Sequence, residues 1–455
     1  MGNKLFGTDG VRGVANVYPM TAEFALKLGM AAGQLVCRNK RKAAIARDTR
    51  VSGEMLEAAL TAGFNAAGVD VLKLGVIPTP AATMLTPTLD VDMTVMITAS
   101  HNPYQDNGLK LINAEGDKFS DEATAQIEEA IAAGKFDLNP EEIGTSEVVP
   151  DAVAGYVDCV LKAAEGTAPL SGLRVVLDCA NGVFSKILPE VFKSLGAGII
   201  VIGNEPNGRN INLDCGSQHT AKMIETVKNA HAQLGIAVDG DGDRIIVCDE
   251  LGNRLDGDQI IAFMGKCLKE QGRLKGNAVA ATIVSNPGLD RFLESCGIRC
   301  ARSAVGERYV IEEMRRQGCN AGGEESGHIV LSDFGKTGDA MAAALVLAQG
   351  FLKSGKKMSE LFPLFTPMFR KRVDSKFVSK EDMLMAFELS DFQAAIKQAE
   401  TAIGGKGKVL VRKSGTEPKI QVWVWSDDTA FADTLNASMV AVLEKAKGFE
   451  GKKIV

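Results

Sequence analysis

The sequence predicts an α/β protein: three similar α/β domains with mixed or parallel sheets, followed by a smaller C-terminal α+β domain. Three observations carry this. Short apolar runs alternate with segments of helical periodicity, the grammar of strand–helix–strand units. That grammar returns three times with similar shape, then changes after about Val373. At roughly 150 residues per domain, a chain of 455 residues has room for such an arrangement.

The first unit opens with an apolar run over 43–46 that ends at Arg47-Asp48. Ser52 has N-cap chemistry, and Met55, Leu56, Leu60 and Phe64 recur at helical spacing until Gly68. Strands follow over 69–74 and 93–98. The second unit reads as a strand over 174–177, a helix near Ile187, and strands over 199–202 and 236–238. The third opens with a strand over 279–284, continues through a helix over 289–295 and ends near Ile329. In the tail, strands over 409–411 and 420–425 alternate with helices over 391–403 and 428–447. The acidic, turn-rich stretch 140–150 suits a linker. Further boundaries fall near 253–258 and at 363–372, where Pro363 and Pro367 punctuate the chain.

Composition narrows the class. Hydrophobic residues make up 45% and charged residues 24%, which excludes disordered, collagen-like and coiled-coil architectures for most of the chain. Lys and Arg number 51 against 57 Asp and Glu, a net charge of −6, which argues against a generic nucleic-acid binder. The nine cysteines contain no C-x-x-C pair and read as reduced, mostly core residues of a cytoplasmic protein. No signal peptide is visible. Met1-Gly2 begins like a myristoylation start, but Phe6 occupies the place that needs Ser or Thr. The apolar stretch 340–348 is too short to span a bilayer, so neither a membrane nor nucleic acid is an expected partner.

Chemistry concentrates in loops. Thr98-Ala99-Ser100-His101-Asn102-Pro103 follows a strand and runs on to Asn107-Gly108-Leu109-Lys110. Asn-Pro and Asn-Gly are ordinary turn formers. Ser, His and Lys together at a strand's carboxyl end point further, to phosphate chemistry. No G-x-S-x-G elbow surrounds Ser100, which disfavours a hydrolase triad. In Asp239-Gly240-Asp241-Gly242-Asp243-Arg244 the glycines let three carboxylates converge on one cation. An EF-hand is excluded, because its sixth position holds Arg244 where Gly is required. Few protein ligands and an open side suit Mg²⁺ shared with a phosphate.

Gly322-Gly323-Glu324-Glu325-Ser326-Gly327-His328 offers directional partners for sugar hydroxyls, although His328 alone would read as a satisfied, partly buried histidine. Arg412-Lys413-Ser414-Gly415-Thr416-Glu417-Pro418 links two strands and presents a guanidinium, two hydroxyls and a Gly that lets backbone amides approach an anion. It is an ordinary polar hairpin or a phosphate clamp. Near the N-terminus, Gly7-Thr8-Asp9-Gly10-Val11-Arg12-Gly13 reads as a loop with no clear strand before it, and Arg12 is a candidate for holding a transferring phosphoryl group.

These segments, in this order, resemble the α-D-phosphohexomutase family over nearly the whole chain. Residues 6–16 and 304–310 are most similar to its bacterial branch acting on glucosamine phosphates. The resemblance implies four domains around a central cleft: 1–150 carrying a phosphoserine, 151–254 binding metal, 255–368 binding sugar and 369–455 binding phosphate. It implies an isomerase of amino sugar metabolism that interconverts glucosamine 6-phosphate and glucosamine 1-phosphate through a sugar bisphosphate, which serves as intermediate or activator. Ser100 would carry the covalent phosphate. Asp239, Asp241 and Asp243 would bind one Mg²⁺ together with that phosphate. Glu324, Ser326 and His328 would meet the sugar, and Arg412, Ser414, Gly415 and Thr416 the non-reacting phosphate.

Three positions depart from the family pattern: Lys413 where many relatives have Pro, Gln421 where the bacterial branch usually has Arg, and Glu325 where it usually has Gln.

With no nucleotide cradle, the phosphoryl group must come from the enzyme or from a bisphosphate. Arg12, Lys110 and Arg244 would stabilise its charge, with His101 beside Ser100. Lys110 is the first choice for general acid–base work, on the expectation that positive neighbours lower its pKa. His328 is the second, because histidine titrates near neutrality. The alternatives are the same mechanism on glucose or mannose phosphates, a non-catalytic sugar-phosphate sensor and a metal-dependent phosphatase. The sequence does not set the oligomeric state, and a homodimer stays open.

Overall fold

The computed structural model describes residues 5–7, 9–162, 169–362, 364–414 and 417–447. Thr8, Pro363, Gly415 and Thr416 lie outside the described residues, as do Met1 and Gly2. The chain divides into two compact units, one of Met1–Ile283 with Cys296–Leu364 and one of Val284–Ser295 with Phe365–Val455.

The first unit holds three sheets of one design. In the first, the strands run in the order Val11–Val14, Asp106–Asn113, Met93–Ile97, Lys42–Arg47, Asp70–Val76 and Ser146–Val148. The last four are mutually parallel, and Asp106–Asn113 is antiparallel to both its neighbours. The second sheet runs Arg254–Leu255, Ile245–Asp249, Leu234–Val238, Arg174–Asp178, Gly198–Ile202. The third runs Arg299–Ser303, Ala278–Thr282, Ala321–Gly323, Ile329–Leu331. Each has a parallel body whose final strand turns back as an antiparallel hairpin.

The central parallel strands, such as Met93–Ile97, Lys42–Arg47 and Ala278–Thr282, are buried on both faces, which is why they read as continuous apolar runs. Ile45, Val95 and Ile97 pack with Leu28 from helix Ala22–Leu35 and with Leu56 and Phe64 from helix Ser52–Ala66. Helix Ala340–Ser354 is N-capped by Asp339, whose Oδ1 accepts from the amides of Met341 and Ala342 at 3.0 Å. The same oxygen accepts from Tyr156 Oη at 2.9 Å, tying helix Ala154–Leu161 to it. No described helix is long and apolar enough to cross a membrane.

The structure departs from the sequence reading at five places. Residues Val11–Val14 form an edge strand, with Arg12 opposite Gly108, where a loop was expected. Asn107 and Gly108 lie inside a strand, not a turn; a Cβ on Gly108 would stand 2.5 Å from the Thr98 carbonyl oxygen, so glycine permits close pairing. Residues Ser146–Val148 add an edge strand where a linker was expected, because their amides and carbonyls find partners on Asp70–Val76. Ser52 is the first helical residue and caps nothing; its Oγ accepts from Asn107 Nδ2 at 2.8 Å. Helix Pro287–Ser295, expected in the third repeat, packs with the second unit, where Asn286 Oδ1 accepts from the Met368 amide at 3.0 Å.

The second unit has an antiparallel sheet in the order Phe369–Lys376, Lys419–Ser426, Gly407–Lys413. Alternation along the central strand assigns its faces. Ile420, Val422 and Val424 pack with Phe392, Ile403, Met439 and Leu443 from helices Ser390–Ile403 and Thr429–Lys447. On the opposite face Trp423 and Trp425 stack at 5.4 Å, packed with Met368, Val284 and Leu410. The guanidinium of Arg372 lies 4.6 Å over the Trp423 ring.

Candidate active site

The three hairpin turns of the first unit converge. Ser100 is fully buried at the turn between Met93–Ile97 and Asp106–Asn113, with φ of 53° in the left-handed region. For a non-glycine residue that conformation costs about 1–3 kcal/mol and persists only when its surroundings fix it. Here the Ser100 amide donates to Thr98 Oγ1 at 2.9 Å, and its carbonyl accepts from Arg50 Nη2 at 2.8 Å and Asn212 Nδ2 at 2.9 Å. Arg50 is 1% exposed. It also donates to the carbonyls of Asn102, Pro103 and Asp106, while its Nε pairs with Asp48 at 2.8 Å. Sequence reasoning passed over Arg50 and Asn212. The available signal was Asp48-x-Arg50, a charged pair at the carboxyl end of a parallel strand, where such sheets place their ligands.

The second turn carries three carboxylates, each at most 2% exposed. Asp239 Oδ2 accepts from Ser100 Oγ at 2.7 Å. Asp241 Oδ2 accepts from Lys110 Nζ and Thr79 Oγ1, both at 2.7 Å, and Asp243 Oδ2 accepts from Lys110 Nζ at 3.1 Å. One oxygen from each carboxylate lies within 4.8 Å of the others. Burial, followed by the charges of Asp243 and Asp241, drives the Asp239 carboxyl well above its ordinary range.

Lys110 reverses an expectation. Burial disfavours its charge, but Asp241, Asp9 and Asp243 outweigh burial and raise its pKa well above the ordinary value. It is an ammonium at neutral pH and no base, because the carboxylates around it outweigh the nearby Arg12 guanidinium. Asp241 Oδ1 is buried with no hydrogen-bond partner among the described residues. An all-oxygen donor set with an unused buried lone pair fits a hard divalent cation.

The third turn brings Glu324, Ser326 and His328. A Cβ on Gly327, at φ of 94°, would stand 2.3 Å from the Ile245 carbonyl oxygen, and the Ile245 amide donates to the Gly327 carbonyl at 3.0 Å. This close approach locks the second and third hairpins together. His328 Nε2 lies 3.2 Å from Asp243 Oδ1, and its Nδ1 lies 3.2 Å from Glu324 Oε2 and 3.4 Å from Ser326 Oγ. Burial opposes its charge, yet Asp243 and Glu324 carry its pKa up to about 10. His328 is therefore cationic at neutral pH and does not titrate near neutrality as expected. Arg244 Nε stands 3.2 Å from His328 Nε2.

His101 behaves oppositely. Burial, Arg244 and Arg12 bring its pKa down to about 4, so a neutral imidazole sits with Nδ1 3.3 Å from Ser100 Oγ. Arg12 pairs through Nη2 with Asp9, and its buried Nε has no hydrogen-bond partner among the described residues. Side chains alternate along the third turn. Glu324 faces His328, whereas the Glu325 charge acts on Asp256 and reinforces burial in raising that carboxyl's pKa.

Arg412 and Ser414 belong to the second unit. Arg412 lies opposite Gln421 in the sheet, and the Ser414 amide donates to the Lys419 carbonyl at 2.9 Å. Burial and then the Arg372 guanidinium lower the pKa of Arg412, so two like charges share this surface. Lys413 lies 4.4 Å over the Phe387 ring and 3.6 Å from Glu388. Gln421 donates to Asp374 Oδ2 at 3.3 Å. The other two residues expected in this clamp, Gly415 and Thr416, lie outside the described residues.

Residues 3–138, 154–252 and 256–368 match alpha/beta/alpha domains I, II and III of phosphoglucomutase/phosphomannomutase, and residues 372–442 match its C-terminal domain. A phosphoglucosamine mutase of Paramagnetospirillum magneticum is 45% identical over 452 residues, covering 98% of this chain and 100% of the relative. The chain belongs to the phosphoglucomutase/phosphomannomutase family. A second phosphohexomutase of this kind, the phosphoglucosamine mutase of Rhodospirillum rubrum, is 46% identical over 449 residues, covering 97% of this chain and 98% of the relative.

Solved structures agree on the fold. A family protein from Burkholderia thailandensis superposes with a TM-score of 0.80 at 23% identity, covering 100% of this chain and 99% of that one. An N-acetylphosphoglucosamine mutase of Aspergillus fumigatus, in complex with GlcNAc-6P and magnesium, gives 0.66 at 18% identity, covering 97% and 96%.

Proposed function

We propose that this phosphohexomutase interconverts glucosamine 6-phosphate and glucosamine 1-phosphate, with Ser100 as the carrier of the phosphoryl group and a sugar bisphosphate as the intermediate. The observation that carries the reading is the placement of Ser100 Oγ, 2.7 Å from Asp239 in the carboxylate cluster and 3.3 Å from a neutral imidazole. The amino sugar as substrate rests on relatives named phosphoglucosamine mutase that are 45–46% identical over nearly the whole chain.

In this reading phospho-Ser100 gives its phosphoryl group to the free hydroxyl end of the sugar phosphate. The serine P–O bond breaks as the sugar P–O bond forms. After the bisphosphate turns over, its other phosphoryl group returns to Ser100. His101 takes the proton from the attacking hydroxyl and hands it to the departing Ser100 oxygen, a role its neutral state permits. Arg12, Lys110 and Arg244 supply fixed positive charge around the moving group. Asp239, Asp241 and Asp243, with the Ser100 phosphate, would hold one Mg²⁺, which supplies neutralisation of phosphoryl charge when bound. Glu324, Ser326 and His328 orient the sugar, and Arg412, Ser414, Gly415 and Thr416 hold the phosphate that does not react.

The domain roles then follow the chain: phosphoserine over 1–150, metal over 151–254, sugar over 255–368 and phosphate over 369–455. A cytoplasmic location agrees with unpaired cysteines. The deciding experiment is a coupled assay on glucosamine 6-phosphate beside glucose 6-phosphate and mannose 6-phosphate, with intact-mass measurement of the protein. Preference for the amino sugar and a phosphorylated population mapped to Ser100 are expected. Equal or better turnover of a hydroxyl sugar would reassign the substrate.

A further inference from the structure

Asp9 is shared by three cations. Its Oδ1 accepts from Lys118 Nζ at 2.6 Å, its Oδ2 accepts from Arg12 Nη2, and Lys110 Nζ lies 3.4 Å from the same Oδ2. Two of these cations belong to the transfer site described above. Lys118 does not touch it. Its second partner is Glu307, whose Oε2 accepts from Lys118 Nζ at 2.7 Å. Glu307 is 6% exposed, and its other oxygen accepts from Thr337 Oγ1 and from the Gly338 amide at 2.6 Å. Gly338 in turn is pressed onto the site: a Cβ there would stand 2.5 Å from the Asp243 carbonyl oxygen and 3.4 Å from His328 Cδ2. An unbroken run of charge-assisted bonds therefore leads from Arg12 and Lys110, through Asp9, Lys118 and Glu307, to the backbone behind Asp243.

We propose that Lys118 is a positioning residue for phosphoryl transfer: anchored by Glu307, it fixes the Asp9 carboxylate, and Asp9 sets Arg12 and Lys110 at the reacting group. The proposal rests on the reading of Ser100 as carrier. Asp9 alone could pivot between Arg12 and Lys110, since both bonds end on one oxygen. A third cation on the other oxygen fixes the plane of the carboxylate and thereby the directions in which it holds the other two. Asp9, Lys110 and Lys118 also line one small cavity together with Arg308 and Asp121. Without the Lys118 ammonium, water can reach Asp9 but cannot anchor it. Displacement of a catalytic group by about 1 Å can cost about 10²-fold in rate, so the anchor is felt at the reaction even though it never meets the substrate.

The test compares Lys118→Met, Lys118→Arg and Glu307→Gln in the full chain. For Lys118→Met, kcat on glucosamine 6-phosphate should fall by about tenfold or more while KM stays within about twofold, because ground-state sugar contacts are untouched. Lys118→Arg, which keeps a cation between the two carboxylates, should recover part of the loss. Glu307→Gln keeps the size and one acceptor oxygen but removes the charge, and should give a smaller loss of the same kind. A crystal structure of Lys118→Met should show Arg12 and Lys110 displaced relative to Asp241. An unchanged kcat, a loss confined to KM, or Arg12 and Lys110 unmoved in that crystal would overturn the proposal. Inactivity of the wild type on glucosamine 6-phosphate would instead sink the substrate reading, and the crystal structure would still decide the positioning.

Discussion

Ser100, Asp241 and His328 stand on three hairpin turns of the first unit, and Arg412 and Ser414 stand at a hairpin of the second. The supersecondary device is the same, and its use differs. In the first unit every turn is braced by another: Ser100 by Asp239, Asp241 by Lys110 and Thr79, His328 by Asp243. The side chains are buried and their charges interlock, so any one is defined by residues far away in sequence. In the second unit Arg412 lies in a two-sided sheet beside a like-charged Arg372, with a register that it shares with its strand neighbours. The proposed roles account for the difference: moving a phosphoryl group needs charges fixed before the reaction, whereas holding a phosphate can use charges that the ligand itself completes.

The sharpest break of this comparison is Ser100→Ala. It deletes the proposed phosphoryl carrier and should lower turnover by at least about 10⁴-fold while leaving the second unit unaffected. Steady-state assay at high enzyme concentration checks it, and a variant of near-normal rate would remove Ser100 from the mechanism.

Arg50→Met tests the bracing itself. It strands Asp48 in the core and frees the carbonyls around Ser100, so unfolding in urea should show a loss of about 3–5 kcal/mol. A loss under about 1 kcal/mol would mean that the loop holds its shape without the arginine.

For the second unit, Arg412→Ala should raise KM for glucosamine 6-phosphate by about tenfold, with a smaller change in kcat. A charge-assisted contact to a non-reacting phosphate is worth roughly 1.5–3 kcal/mol in both ground and transition states. Equal losses in kcat and kcat/KM would place Arg412 with the transfer groups instead.

A pH experiment isolates the first unit. Burial raises the Asp339 carboxyl from its ordinary 3.8 to about 6. The folded chain then binds this proton more tightly than the unfolded chain. Its stabilising effect is complete below pH 3.8 and is lost as pH rises through about 6. Asp339→Asn should accordingly gain stability relative to the parent across that window and show a constant difference above it. Parallel stability curves would contradict the assignment.

The smallest effect is expected at Glu325. Its charge acts on Asp256, so Glu325→Gln should leave the kcat/KM ratio of glucosamine 6-phosphate to glucose 6-phosphate within about twofold. A several-fold fall at low salt would return Glu325 to the sugar site.

What the sequence made legible follows the same division. Parallel strands such as Lys42–Arg47 and Ala278–Thr282 are apolar on both faces and announce themselves. The antiparallel strand Asp106–Asn113 does not, because it spends positions on Asn107, Gly108 and Lys110 and so looks like loop. The chemically distinctive residues of the site, Ser100, the three aspartates and the Glu324–His328 turn, stood out by composition alone. Arg50, Asn212, Lys118 and Glu307 did not, since each has an ordinary local setting and acquires its role from partners about 50 to 190 residues away. The charge states of Lys110 and His328 were misjudged for the same reason: protonation is set by three-dimensional neighbours, and those of Lys110 include Asp9, Asp241 and Asp243.

The Trp423–Trp425 stack has a practical corollary. The chain contains two tryptophans, and both lie in the second unit. Indole emission from this enzyme is consequently a reporter of the C-terminal unit alone, with the first unit dark at that wavelength. Far-ultraviolet dichroism, dominated by the larger unit, supplies the complementary signal. Melting curves recorded both ways would show, without a label, whether the two units unfold together or apart. With Arg372 lying over one indole and Arg412 nearby on the same sheet, inorganic phosphate titrated against the emission offers a direct optical reading of anion binding at that sheet.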